Sequence, residues 1–165
     1  MRLNLGSGDT QKMKNLGYVN VDITKFDSVD VVHDIEKTLP FENDSIEEIY
    51  CSHALEHCIM SAVPKMLADW FRVSKKDGKI RIIVPEIEAC MKKFLATPES
   101  DPNKWGYMIE YVLGGQDNQE GQQLHKSAFT LTHLKNLVET AGFVVDSLQI
   151  RYNGRNDCLY LDAHK

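Results

Sequence analysis

The feature that most constrains this chain is a helix placed between two apolar strands. Ile46–Cys51 has the composition of a strand, Ser61–Val73 carries apolar residues at helical spacing, and Lys79–Val84 is a second strand that Pro85 ends. A strand, a helix and a strand in this order form the repeating unit of a parallel sheet. The pattern therefore predicts an α/β fold.

The rest of the chain extends this unit in both directions. Three short strands are predicted before it, at Arg2–Leu5, Gly17–Ile23 and Asp30–His33. After it we predict helices at Glu86–Leu95 and Thr130–Ala141, then strands at Phe143–Arg151 and Asp157–Ala163. Asn153-Gly154 between the last two strands predicts a hairpin. We expect a Rossmann-like fold with a mostly parallel sheet, an antiparallel last strand and helices on both faces.

A chain of 165 residues is long enough for one domain with a sizeable core, so we predict a single domain over 1–165. Residues 96–128 do not fit the alternation, and we predict a lid or loop insertion there. This segment carries Trp105, Tyr107 and Tyr111 and then the sequence GGQDNQEGQQ. The three aromatic residues are candidates either for an acceptor pocket or for the core.

Charge and hydropathy narrow the possible partners. The net charge of −5 argues against a nucleic-acid partner, because neutralising phosphates requires clustered Lys and Arg. The N-terminal sequence MRLNLGSGD has no long apolar run, so we expect neither a signal peptide nor a membrane partner. We expect a cytoplasmic protein whose four cysteines are reduced thiols. The oligomeric state is left open by the sequence.

Glycines and acids follow the first three predicted strands. Gly6-Ser7-Gly8 follows the first strand, Asp22-Ile23 ends the second, and Asp34-Ile35 follows the third. In an open α/β sheet the ligand binds outside the carboxyl ends of the strands. Glycines let the backbone approach a ligand closely, and Asp22 is placed to accept hydrogen bonds from a ribose diol.

The glycine motif also limits which ligand can bind. A dinucleotide fingerprint has a third glycine where this chain has Gln11, and a phosphate-binding Gly-Lys-Ser/Thr loop is absent from the sequence. A ligand with ribose and adenine but without phosphate fits better. S-adenosylmethionine is such a ligand.

Four stretches of the sequence together resemble the class I S-adenosylmethionine-dependent methyltransferases, and most of all their small predicted-methyltransferase group. The stretches are LNLGSGD, GYVNVDI, VVHDIEKTLPFENDSIEEIYCSHALEH and HLKNLVETAGF, so the likeness covers roughly residues 1–95 and 125–145. It implies that the glycine loop holds the methionine part, Asp22 the ribose, and Asp34 with Ile35 the adenine. The predicted cofactor-binding residues are Gly6, Ser7, Gly8, Asp22, Ile23, Asp34, Ile35, Cys51 and Ser52.

Two positions depart from the family pattern. Asn4 stands where the family's glycine motif often begins with an acid. Gly8 and Tyr18 are separated by nine residues, fewer than the dozen that a full crossover between parallel strands needs. We therefore predict that the first helix is reduced to a short turn.

The stretch IYCSHALEHC places Cys51, His53, His57 and Cys58 close together in sequence. Zinc sites usually take ligand pairs from separate segments, whereas these four residues lie at one strand end and one helix start, with side chains that point in different directions. We therefore predict no metal site. Glu56 and His57 are expected in the first turn of the next helix, where a carboxylate favours the helix dipole.

The resemblance predicts an enzyme that transfers the methyl group of S-adenosylmethionine to an unidentified acceptor, expected to be a small molecule. His53 at the sheet edge and His125 after the Gly/Gln-rich stretch are the candidate catalytic residues, because an acceptor hydroxyl or amine can require a base. Two alternatives stay open: a noncatalytic module that binds S-adenosylmethionine or a nucleoside, and a nicotinamide-dependent oxidoreductase. The missing third glycine disfavours the oxidoreductase.

Overall fold

The computed structural model describes residues 1–115, 123–154 and 156–165, and for residues 107–110 it describes the backbone. The described strands are β1 (Arg2–Leu5), β2 (Val19–Asp22), β3 (Val31–Val32), β4 (Ile46–Ser52), β5 (Ser74–Pro85), β6 (Val144–Tyr152) and β7 (Asp157–His164). Together they form one sheet in the order β3-β2-β1-β4-β5-β7-β6.

The sheet is parallel except at β7. The pairs from β3 through β5 are parallel, whereas β7 lies between β5 and β6 and is antiparallel to both. Tyr152 pairs with Asp157, so β6 and β7 form the hairpin that Asn153-Gly154 predicted. The predicted α/β Rossmann-like class is confirmed, and it brings the carboxyl ends of β1, β2 and β4 to one edge.

Helices connect and cover the strands. They are α1 (Lys12–Asn15), α2 (Val63–Val73), α3 (Ile87–Ala96), α4 (Lys104–Met108) and α5 (Leu131–Thr140), with a 3₁₀ turn at Leu55–His57 and a π-helical segment at Ile109–Leu113. The reduction of the first helix to a short turn, predicted from the short connection, is confirmed by α1.

The connection after β4 differs from the prediction. The helical spacing over Ser61–Val73 agrees with α2, which begins at Val63. Glu56 and His57, however, were expected in the first turn of that helix and lie in a separate 3₁₀ turn before it. Pro64 explains the later start, because proline lacks a backbone N–H and fits the first turn of a helix. Glu56 therefore lies in the 3₁₀ turn and not in the first turn of α2, and its side chain is buried.

The start of β5 also differs from the prediction. Ile46 pairs with Ser74 and Glu48 pairs with Lys79, so an irregular stretch is accommodated inside β5. Asp77, with a φ of 61°, lies in this stretch. The strand was predicted to begin at Lys79, whereas β5 begins at Ser74 and contains a bulge around Asp77-Gly78.

The core packs two amphipathic helices with the sheet. Trp70 of α2 and Leu134 and Val138 of α5 are fully buried, in one cluster with apolar residues of the central strands such as Ile80. Within the described part of the chain, no helix combines the length and apolar character needed to span a membrane.

All four thiols are free and buried. Burial raises the pKa of Cys58 and Cys158 to about 12 and raises the pKa of Cys51 and Cys90 above the ordinary value. Because the thiolate is the reactive form, we expect the native protein to resist dithionitrobenzoate at neutral pH. All four thiols should react after unfolding in guanidinium. A thiol that reacts rapidly in the native protein would contradict this burial.

Candidate cofactor and acceptor site

A cavity of about 490 Å³ lies at the carboxyl ends of the parallel strands, within the size range of cofactor sites. Among the sequence-predicted residues it is lined by Gly6, Ser7, Gly8, Asp22, Ile23, Asp34, Ile35, Ser52 and His53. Its remaining lining residues are Asp9, Thr24, Phe26, Glu36, Ala54, His57, Cys58, Gln123 and Lys126. We call this the cofactor cleft.

The glycine loop of the cofactor cleft is fixed against β2. The backbone amides of Gly6 and Ser7 donate to the carbonyl of Val21 at 2.9 and 3.1 Å, and the Gly8 amide donates to Asp22 Oδ2 at 2.8 Å. Gly6 and Gly8 both have positive φ, of 64° and 57°. Because these three amides are bonded within the protein, they do not form a cradle for a phosphate. That suits a ligand without phosphate.

The two predicted acids are held in place by backbone donors. Asp22 Oδ1 accepts from the Thr24 amide at 2.8 Å, and Asp34 Oδ1 accepts from the Glu36 amide at 2.9 Å. A carboxylate offers about four lone-pair sites, so both side chains keep acceptor capacity for a ligand.

Asn4, which departs from the family pattern, has a structural partner. Its amide nitrogen donates to Asn20 Oδ1 at 2.9 Å, and both side chains are buried. Asn20 Nδ2 in turn donates to the carbonyls of Thr10 and Ser28. The pair thereby ties β1 and β2 to the loops that follow them.

Cys51 requires a correction. It was predicted beside the cofactor, but its side chain is fully buried in the core and does not line the cleft. Successive side chains of a strand point to opposite sides, so Ser52 reaches the cleft whereas Cys51 faces the core. Cys58 is also buried, with its Sγ 3.6 Å from the Ala54 carbonyl oxygen.

A second cavity of about 390 Å³ adjoins the first, and we call it the acceptor cavity. Its lining residues are His53, Glu56, His57, Pro85, Tyr111, Gly115, Gln123, His125, Asn153 and Asn156. His53, His57 and Gln123 line both cavities. Both sequence-predicted histidines therefore border the acceptor cavity, and His53 lies at its junction with the cofactor cleft.

His53 occupies a left-handed backbone conformation, with a φ of 53°. This conformation is uncommon outside glycine and often marks a functional site. The His53 amide donates to the Ile83 carbonyl at 2.9 Å, and Nδ1 lies 3.1 Å from Glu56 Oε1. On the other side of the ring, Nε2 lies 3.5 Å from Asn153 Nδ2.

Glu56 connects the end of β4 to the segment that precedes α5. The residue is 2% exposed, and its backbone carbonyl accepts from the amides of Lys126 and Ser127 at 2.8 and 3.1 Å. Its Oε1 contacts His53, whereas Oε2 has no hydrogen-bond partner among the described residues.

His57 and His125 meet at the wall of the acceptor cavity. Their rings contact edge to face, with centroids 5.0 Å apart. His57 Nδ1 lies 3.2 Å from the Leu124 carbonyl oxygen, and the His125 imidazole hydrogen-bonds to the backbone of Tyr111. Burial lowers the pKa of His125, which favours the neutral imidazole at pH 7.

The three aromatic residues of the predicted insertion differ in position. Tyr111 is buried and lines the acceptor cavity. Trp105 is 59% exposed and packs edge to face on Phe94, away from both cavities. The Tyr107 side chain and most of the Gly/Gln-rich stretch, at 116–122, lie outside the described residues. Closure of a lid over 96–128 stays a prediction.

Sequence reasoning missed several residues of the site because distant segments bring them there. These residues are Gln123, Lys126, Asn153 and Asn156, and the burial of Glu56 was also not predicted. The Asn-Gly turn was recognised only as a hairpin signal. The Glu-His pair in LEH, followed by His125 after the Gly/Gln-rich stretch, was the signal that could have indicated the cluster.

Comparisons with known proteins agree with this geometry. The model of the family described as a methyltransferase domain matches residues 3–82. No protein of curated function matches the sequence. Among solved structures, the chain is similar to the 1,6-didemethyltoxoflavin-N1-methyltransferase of Burkholderia thailandensis, whose structure contains 1,6-didemethyltoxoflavin and S-adenosylhomocysteine. That similarity has 18% identity and a TM-score of 0.68, and it covers 99% of this chain and 70% of the other.

Two further S-adenosylmethionine-dependent methyltransferases show the same fold. The protein of Methanosarcina mazei has 15% identity and a TM-score of 0.67, over 99% of this chain and 91% of its own. That of Archaeoglobus fulgidus has 14% identity and a TM-score of 0.66, over 99% and 85%. Residues 3–82 thus match the methyltransferase-domain family, and the whole chain has the fold of solved S-adenosylmethionine-dependent methyltransferases.

The two loop glycines provide a matched test of the cleft. A Cβ at Gly6 would overlap the Cβ of Ala54, whereas a Cβ at Gly8 would meet nothing within 4 Å. Gly8→Ala should cost about 1–2 kcal/mol for a left-handed residue. Gly6→Ala should cost roughly 1–3 kcal/mol more, because of the overlap. Guanidinium denaturation of both variants measures the difference in the free energy of unfolding. Equal losses of stability in the two variants would contradict a steric overlap with Ala54.

Proposed function

We propose that this protein is an enzyme that transfers the methyl group of S-adenosylmethionine to a small-molecule acceptor bound in the acceptor cavity. One observation carries the proposal: the two cavities share a border at His53, His57 and Gln123. Methyl transfer requires the acceptor atom to approach the methyl carbon in line with the breaking bond, so the two ligands must occupy adjoining sites. A cavity of about 390 Å³ suits a small molecule.

The proposed cofactor contacts follow the lining of the cleft. Gly6, Ser7 and Gly8 would hold the methionine part, together with Ser52 at the end of β4. Asp22 would accept hydrogen bonds from the ribose hydroxyls. Ile23, Asp34 and Ile35 would surround the adenine. When bound, S-adenosylmethionine supplies a methyl group that its sulfonium charge already activates, so alignment and exclusion of water are the main tasks of the protein.

His53 is the proposed proton acceptor for the acceptor molecule. The contact of its Nδ1 with Glu56 Oε1 orients the ring and favours a proton on Nδ1. Nε2 would then keep the lone pair that a general base needs. His125, on the wall of the acceptor cavity, would act on the acceptor side and not on the cofactor.

The alternative is a noncatalytic module that binds S-adenosylmethionine. The single turn of α1 favours this alternative, because the connection next to the glycine loop is reduced. The adjoining acceptor cavity favours the enzyme. Binding of S-adenosylhomocysteine without any methyl transfer would support the module.

S-adenosylhomocysteine should stabilise the protein, by about 2.7 kcal/mol at 100 times its dissociation constant. Asp22→Ala should weaken its binding by roughly 1.5–3 kcal/mol, since charge-assisted bonds to the ribose are lost. Asp27→Ala is the matched control, because Asp27 lies on the same connection but does not line the cleft. Calorimetry measures both variants. If Asp22→Ala binds like the parent, Asp22 has no role at the ribose.

His53→Asn should lower turnover by about 10²–10⁴-fold if His53 is the base, while the affinity for S-adenosylhomocysteine stays within about threefold. Asparagine tolerates positive φ, so the backbone at residue 53 should be kept. The assay follows release of S-adenosylhomocysteine with a panel of hydroxyl and amine acceptors. His33→Asn, outside both cavities, is the control. Parental turnover in His53→Asn would remove His53 from the mechanism.

A further inference from the structure

We infer that Glu56, His57 and His125 form a binding site for a divalent transition-metal cation in the wall of the acceptor cavity. One potential ligand atom from each residue lies within 4.8 Å of the others. Two imidazoles and one carboxylate are a donor set that zinc and related first-row metals accept, with further positions left open. This inference replaces the sequence prediction of no metal, and of the four Cys and His residues in IYCSHALEHC it uses His57 alone.

The carboxylate of Glu56 provides the second observation. Glu56 is 2% exposed, and its Oε2 has no hydrogen-bond partner among the described residues. A buried polar atom without a partner costs about 1–3 kcal/mol, and a charged one costs more. A cation bound at Oε2 would offset this cost. Oε2 belongs to the same carboxylate that takes part in the cluster with the two histidines.

The hydrogen bonds that His57, His125 and Glu56 make to the rest of the protein are those expected of metal ligands. His57 uses Nδ1 toward the Leu124 carbonyl, and the His125 imidazole bonds to the backbone of Tyr111. Glu56 uses Oε1 toward His53. Metal-binding histidines usually donate their other ring N–H to a carbonyl or carboxylate, and metal-binding carboxylates are themselves hydrogen-bonded. Each side chain is thus oriented by one contact while a further donor atom is left for a cation.

The spacing indicates an open cluster that a metal would draw together. Bonds of about 2.0–2.2 Å in a tetrahedral site put neighbouring ligand atoms roughly 3.3 Å apart. The potential ligand atoms lie within 4.8 Å of one another, so a bound cation would draw the three side chains closer together. Mixed nitrogen and oxygen donors favour Zn²⁺ or Co²⁺ over Mg²⁺, which prefers oxygen ligands.

The position of the cluster indicates the class of acceptor. Glu56, His57 and His125 all line the acceptor cavity, so the open positions of the cation would face its contents. His57 also lines the cofactor cleft. A hydroxyl or carboxylate oxygen of the acceptor would occupy an open position there. This assignment of the acceptor rests on the proposed methyl transfer, whereas the metal site itself does not.

The test is a titration of the untagged 165-residue protein with Co²⁺, Zn²⁺ and Mg²⁺ alone, after treatment with a chelator and its removal. The parent should bind Co²⁺ and Zn²⁺ with a stoichiometry near one and bind Mg²⁺ more weakly. His125→Ala and Glu56→Gln should each weaken Co²⁺ binding by at least about tenfold. Visible absorption of bound Co²⁺ should show nitrogen ligation in the parent and lose it in His125→Ala. His164→Ala is the matched control, because His164 is another histidine beside a carboxylate, Asp146, at 2.8 Å.

A separate measurement of S-adenosylhomocysteine binding distinguishes failure of the metal site from failure of the proposed function. His125 does not line the cofactor cleft, so His125→Ala should keep parental affinity for S-adenosylhomocysteine, which also reports folding. A parent that binds neither Co²⁺ nor Zn²⁺ but binds S-adenosylhomocysteine overturns the metal site and leaves the proposed function intact. Metal binding without S-adenosylhomocysteine binding overturns the proposed function and leaves the metal site. Equal Co²⁺ affinity in the parent and the folded variants His125→Ala and Glu56→Gln overturns the assigned ligands.

Discussion

The buried carboxylate of Glu56 is the interaction on which the arrangement of the site depends. A carboxylate this deep must be compensated by contacts, and here its oxygen Oε1 lies 3.1 Å from His53 Nδ1. The backbone carbonyl of the same residue holds the amides of Lys126 and Ser127. One residue therefore orients the candidate base and docks the segment that delivers His125. The neighbouring Leu55 adds to this docking, because its carbonyl accepts from Ser127 Oγ at 3.1 Å.

The junction of the two cavities follows from the way β4 ends. A strand that continued straight would carry the chain out of the sheet, but at His53 the backbone adopts positive φ and the amide bonds back to Ile83 of β5. The following 3₁₀ turn then keeps Glu56 and His57 at the sheet edge, and α2 begins only at Val63. Through this short turn, His53 and His57 line both cavities.

Local patterns in the sequence were sufficient for most of the fold and for the cofactor cleft. Glycines and acids at strand ends are local signals, and parallel strands bring their carboxyl ends together whatever the details of packing. The acceptor side depends on contacts between distant segments, such as that of Glu56 with Ser127 and that of Asn153 with His53. Spacing in sequence does not report such contacts. It therefore placed Glu56 in the first turn of the following helix and Cys51 beside the cofactor.

The contact between His53 and Glu56 couples the two proposed ways of activating the acceptor, which are proton removal by His53 and binding of the acceptor oxygen to a cation. Oε1 orients His53, and Oε2 is the oxygen available to a cation. A cation at Oε2 would withdraw charge from the carboxylate and weaken its attraction for a protonated His53. It would also make an acceptor oxygen more acidic, as metals do for bound water. Both effects reduce the need for a strong base. Residues that share a partner in this way do not act additively, so His53 and the proposed metal ligands would form one functional unit.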